Sequence, residues 1–302
     1  MAEAASYTCP WCKRAFDASS SSCPACGAPV DVRKLTTPSG WNELPAIKDM
    51  AKIQFGQSFC QVEGNFVPVA NFKLAAGDGV YFAHHLMLWK DDHAQITAMP
   101  LKGAWKRVLA GMPLVMTQAT GPGRIAFSKD KPGEVIAIPL DVGRSMDVRE
   151  HVFMVATHSV SYDWFSSGIW YRTREDKNVE THYPIGMFMD RFGAAGKEGL
   201  LLLHGAGNVF VRDLQPGQSI LIKPTALLFK ETTVHMNLHF EYPSGIWNPY
   251  GTWNVGTVWS NRYVWLRLTG PGRVGVQSNF DKIDDRGHPL VDFEANATEV
   301  QW

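Results

Sequence analysis

Apolar and polar positions alternate with period two in short runs along most of the chain. "RIAF", "NVFV" and "RVGV" are examples, and Gly, Pro, Asp or Asn bound such runs. This is the signature of antiparallel strands joined by tight turns. Helical periodicity is scarce. "GAWKRVLAG", Gly103 to Gly111, predicts a short turn of helix, and "WYRTREDKNVETHYP" reads as a charged surface excursion. The expected fold class is all-β, built of antiparallel sandwich or barrel units.

The alternation is itself repeated. "LAAGDGVYFAHHLMLWKDD", Leu74 to Asp92, aligns without a gap on "LQPGQSILIKPTALLFKET", Leu214 to Thr232. Leu74 meets Leu214, Gly77 meets Gly217, Leu88 meets Leu228, Trp89 meets Phe229 and Asp91 meets Glu231. A third copy, "DKPGEVIAIPLDVGRSMDVRE", places Gly133, Ile136 and Ile138 in the same slots and departs after Leu140. Glycine pairs punctuate the pattern: Gly121 and Gly123 in "TGPGRIAF", Gly205 and Gly207 in "HGAGNVFV", Gly270 and Gly272 in "TGPGRVGV". A phosphate loop needs such glycines between a strand and a helix. Here strand-like sequence lies on both sides and no Gly-Lys-Ser/Thr follows, so these six read as structural turns. Unpaired strand edges in such units need cover, which a symmetric oligomer can supply.

The amino-terminal stretch differs. "CPWCKRAFDASSSSCPACG" holds two C-x-x-C pairs, Cys9 with Cys12 and Cys23 with Cys26. Two such knuckles complete a tetrahedral site for one structural zinc ion. A module this small lacks a useful core, so metal would largely fold it. Two disulfides or a redox site are the competing readings; the latter normally needs a thioredoxin-like frame, which is missing. The resulting division is a zinc ribbon over 1–30, a linker over 31–48, a duplicated β domain over 49–278 with approximate halves 49–165 and 185–278, and a tail over 279–302. Cys60 stands alone and reads as a buried thiol.

Bulk properties narrow the function. Lys plus Arg and Asp plus Glu number 29 each, which leaves no strongly basic field to attract nucleic acid. No apolar run approaches a membrane span, and the polar opening lacks a secretory h-region. The expected location is cytoplasmic.

The G-x-G segments "MTQATGPGRIAFS", "LLLLHGAGNVFVRDLQPGQSILI" and "VWLRLTGPGRVGVQS" resemble the Altered Inheritance of Mitochondria family of the twenty-fourth designation. The resemblance covers roughly residues 50 to 278. It implies a fold like that of the tryptophan RNA-binding attenuation protein, duplicated in one chain, and homotrimers that form a ring. It supplies no catalytic residues. Where the family often carries a Gly-Gly-Glu loop, this chain has "GIWNPYGTWNVGTVW".

No catalytic constellation emerges. On a strand the adjacent His84 and His85 would face opposite ways, and His235 and His239 would lie about 13 Å apart. G-x-S-x-G is absent, and Asp91-Asp92 reads as a solvated turn. Trp247, Tyr250 and Trp253 sit in a Gly/Pro/Asn loop suited to protein contact or shallow membrane contact. The expectation is a non-enzymatic homo-oligomeric scaffold, trimeric, carrying a zinc ribbon toward an unknown protein partner. The alternative is a nucleic-acid-associated protein that uses the ribbon, with Lys13, Arg14, Arg33 and Lys34 around it. A β-barrel metalloenzyme ranks third.

Overall fold

The computed structural model describes residues 6–8, 14–17, 23–25, 41–43, 52–64, 66–100, 115–194, 196–241, 262–283 and 288–300. The body is antiparallel β-structure with two single turns of 3-10 helix, His84–Leu86 and Pro224–Ala226.

One six-stranded unit accounts for most of it. In the first copy the strands are Val69–Leu74, Gly79–Phe82, Met87–Lys90, Gln95–Pro100, Val115–Thr120 and Gly123–Ser128. The first strand pairs with the sixth and the sixth with the third; the second pairs with the fifth and the fifth with the fourth. The same four pairings recur among Glu134–Leu140, Ser145–Arg149, Phe153–Thr157, Val160–Ser166, Phe188–Ala194 and Gly199–Gly205. They recur again among Val209–Leu214, Ser219–Ile222, Leu227–Glu231, His235–Glu241, Tyr263–Thr269 and Gly272–Gln277. Strand pairing thus delimits three units, where the sequence suggests halves at 49–165 and 185–278.

The middle unit corrects the alignment. Its counterpart of Gly77 and Gly217 is Gly143, not Gly133: all three open the second strand with φ of 86°, 77° and 85° respectively. Gly133 instead begins the unit's first strand. The glycine pairs also separate. Gly121-Pro122-Gly123 and Gly270-Pro271-Gly272 turn the fifth strand into the sixth, each with a cis Gly-Pro bond. Gly205 and Gly207 belong to the link between the second and third units. Similar composition concealed two different jobs.

A recurring hydrogen bond helps the units keep their register. The amide of the sixth strand's second residue is held in each copy by the residue that ends the third strand or follows it. Asp91 accepts from Arg124 at 2.8 Å, Thr157 from Leu200 at 3.0 Å and Glu231 from Arg273 at 3.0 Å. Asp91 is therefore a turn clamp rather than a merely solvated charge. Next to it neighbouring side chains crowd the start of the sixth strand. A Cβ on Gly199 would sit 2.3 Å from Val160, and one on Gly272 would sit 2.9 Å from Val234, so only glycine fits.

Successive units share sheets. The second strand of the first unit pairs with the third strand of the second unit, with Phe82 opposite Val155 and Tyr81 opposite Ala156. The second strand of the middle unit meets the third strand of the last in the matching register, with Val148 opposite Phe229 and Asp147 opposite Lys230. Each junction merges two half-sheets into a sheet of six core strands. Apolar residues interlock across it. Val80 and Phe82 pack with Met154 and Val155, and Met146 and Val148 pack with Leu228 and Phe229.

The flanks are capped by other segments. Lys52–Phe55 and Ser58–Glu63 cover the first strand of unit one. Asn42–Glu43, in the expected linker, bridges to Val209–Leu214. The tail is not loose: Thr298–Val300 runs parallel to His235–Glu241, and Leu290–Phe293 pairs with Tyr171–Glu175. That last strand belongs to the charged excursion, which forms a hairpin with Asn178–His182.

Candidate functional site

Two junctions inside one chain leave two half-sheets unmatched. The half-sheet containing the first unit's third strand ends at Met87–Lys90, and the half-sheet containing the last unit's second strand ends at Ser219–Ile222. Neither strand has a neighbour on its outer side among the described residues.

Exposure follows this topology. Met87, Leu88 and Trp89 are 38%, 56% and 40% exposed, whereas their counterparts Phe153, Met154 and Val155, and Leu227, Leu228 and Phe229, are all buried. On the other edge Leu221 is 40% exposed, against 1% for its counterparts Tyr81 and Asp147. A row of large apolar side chains on an unpaired strand is the feature that soluble proteins usually avoid. Applying the internal register to the two open edges sets Ile222 opposite Trp89 and Leu221 opposite Lys90. The two open edges are thus complementary in register to each other, as the paired strands at the internal junctions are.

Charge around the edges is mostly spoken for. Lys90 donates to the carbonyls of Asp91 and Asp92 at 3.1 and 3.0 Å. Lys223, just past the second edge, lies 4.2 Å from the Trp265 ring and 4.9 Å from Tyr263, and burial pulls its pKa down. Trp265 donates to Glu241 at 2.7 Å. The two rings thus form an exposed stacked ledge rather than core, with Tyr263 44% exposed. Arg262 donates to the His288 carbonyl at 2.6 Å and Arg267 bonds His239 at 2.9 Å, so both are committed within the fold.

A family model described as mitochondrial biogenesis AIM24 matches residues 60–279, the span of the three units. The chain belongs to that family. In fold it is similar to a crystal structure of a Streptococcus pyogenes protein, with a TM-score of 0.53 at 18% identity; the match covers 74% of this chain and 94% of that one. No curated protein sequence matches.

The other expected site residues fare unevenly. Cys23 is buried, while Cys9, Cys12 and Cys26 lie outside the described residues. Ser6–Thr8 and Ala15–Asp17, on either side of the first C-x-x-C in sequence, pair antiparallel. Trp247, Tyr250 and Trp253 lie outside the described residues, as do Lys13, Arg33, Lys34 and Gly103 to Gly111. Arg14 is exposed. His84 and His85 sit in a 3-10 turn, not a strand. His239 is buried while His235 is exposed. Among the described residues no three His, Cys, Asp or Glu gather as metal ligands, and no helix is long and apolar enough to cross a membrane. Cys60 is fully buried, and burial pushes its thiol pKa far up, which keeps it protonated.

What the sequence concealed was the status of the edges. "LMLW" and "SILI" are readable as strands, but an edge strand and an interior strand share one alternation.

Proposed function

We propose that this protein is a non-enzymatic scaffold whose copies join head to tail into a closed trimeric ring in the cytoplasm. The observation that carries the reading is the pair of unmatched half-sheets, exposed where their internal counterparts are buried. Met87–Lys90 of one copy adds to Ser219–Ile222 of the next. Unlike edges meet, so the contact is heterologous and closes only as a ring. The trimer is the number that the family resemblance implies.

The amino-terminal module adds one zinc ion per chain, held by Cys9, Cys12, Cys23 and Cys26. The burial of Cys23 in so short a module supports that reading. Three ribbons and three aromatic loops around Trp247, Tyr250 and Trp253 would then be presented in a fixed geometry, and weak contacts to a protein partner add through multivalency. Native mass spectrometry of the gently purified protein tests both parts together. The expected species is a trimer with one zinc per chain. A monomer at micromolar concentration overturns the ring, and a zinc-free chain overturns the ribbon.

A further inference from the structure

A cleft of about 900 Å³ is lined by residues of all three units and the links between them. We infer that this cleft is a binding site for a phosphate-bearing small molecule, held by Lys129, Lys131 and Arg149. Its size is that of a small-ligand pocket.

The argument begins with uncompensated charge. Lys129 and Arg149 are half-buried, yet neither has a carboxylate within ion-pair distance among the described residues. Each leans on a backbone carbonyl instead: Lys129 donates to His151 O at 2.6 Å, and Arg149 donates to Thr225 O at 2.8 Å. The Arg149 Nε is buried without an acceptor. Burial pulls both pKa values down, and Asp281 acts on Arg149 only at longer range. Partly desolvated cations without a counter-ion are costly to fold. A dianionic ligand supplies the missing charge, and a phosphate carries about −1.5 to −2 near neutral pH. The acids on the lining are Asp130, Glu150 and Asp281. Asp130 and Asp281 are exposed, and Glu150 faces His151 at 3.8 Å.

Backbone geometry singles out the same place. His85, His151 and Thr225 occupy one position of the three units, and all three line the cleft. In the outer units that corner is a relaxed 3-10 turn. In the middle unit His151 takes φ of 68°, and Asp130, on the facing loop, takes φ of 59°. Such values cost a non-glycine residue free energy. Here the strained corner turns the His151 carbonyl onto Lys129 and holds the ammonium in place. His204, 4% exposed, bonds the Lys131 carbonyl at 3.1 Å and fixes the loop that carries both lysines.

The test is calorimetric titration of the intact protein with inorganic pyrophosphate at low salt. A second arm measures co-sedimentation with vesicles of phosphatidic acid in phosphatidylcholine. Saturable binding of pyrophosphate is expected, and Lys129→Gln should weaken it about tenfold, as loss of a charge-assisted contact does. Arg149→Gln should weaken it further, with Lys129→Gln as the check if that variant loses stability through its Thr225 contact. Binding confined to the vesicles and lost in Lys129→Gln assigns the same phosphate contacts to a lipid headgroup. No binding in either arm, or binding unchanged in Lys129→Gln, overturns the inference.

Discussion

Leu88→Asp isolates the proposed joint between copies. Leu88 is 56% exposed in one chain, while Met154 and Leu228, its counterparts at the internal junctions, are each 0% exposed. Burying a large apolar side chain contributes roughly 1.5–3 kcal/mol, so Met87, Leu88, Trp89 and Leu221, with exposures of 38%, 56%, 40% and 40%, together contribute about 3–5 kcal/mol per joint. Each new ladder hydrogen bond adds about 0.5–1.5 kcal/mol. The aspartate forfeits the Leu88 share, about 1–2 kcal/mol, and must desolvate a carboxylate at a cost of several kcal/mol. The joint should weaken at least about 100-fold.

Because Leu88 is exposed in a single copy, the variant should stay folded, with an unchanged far-ultraviolet circular-dichroism spectrum but a monomeric mass in native mass spectrometry and a lower melt, since the joint no longer stabilises the folded chain. Leu221→Asp should do the same from the opposite edge. The two variants mixed should form a dimer and stop there, since each keeps the one edge the other lacks. Val179→Asp, on an equally exposed side chain in the excursion hairpin, should leave the trimer intact. A Leu88→Asp protein that remains trimeric, or a mixture that stays monomeric, refutes the head-to-tail pairing.

Three further outcomes follow from the same structure. Asp147 is 1% exposed and contacts Lys230 at 2.8 Å and Arg191 at 2.6 Å, so Lys230→Met, which leaves Arg191 on the carboxylate, should cost about 1.5–3 kcal/mol in urea unfolding, and Asp147→Leu added to it should recover part of that loss. Burial pushes the Glu294 carboxyl up against the pull of the Leu238 N–H. Its contribution is therefore full below the ordinary carboxylate range and is lost as pH rises through the raised folded value. Thermal melts should accordingly show Glu294→Gln gaining on the natural protein as pH climbs from about 4 toward neutrality. Cys9→Ser should release the zinc and unfold the ribbon while leaving the melt of the β body and the trimeric state unchanged, as read by metal analysis beside native mass spectrometry.

Much was determined by the sequence alone. Period-two alternation bounded by turn residues is a local property, and it specified strands throughout the body. The gapless match of Leu74–Asp92 to Leu214–Thr232 established repetition, because aligned glycines and apolar positions encode the same turns and faces. The spacing of Cys9, Cys12, Cys23 and Cys26 specified a candidate metal site without reference to any fold. The middle unit was harder to read. Thr157 replaces Asp91 as the clamp, and Gly133 mimics Gly143, so local chemistry diverged where geometry did not. Only tertiary structure decided which strands lie inside a sheet and which end it. Leu88 and Leu228 are the same residue in the same local pattern, yet one is exposed and the other buried, because the middle unit precedes the strand of Leu228 and pairs with it, while no such unit pairs with the strand of Leu88 among the described residues. The cleft has the same origin. Lys129, Arg149 and Thr225 carry no shared motif and come from three units, so their meeting is a consequence of chain path, which periodicity does not encode.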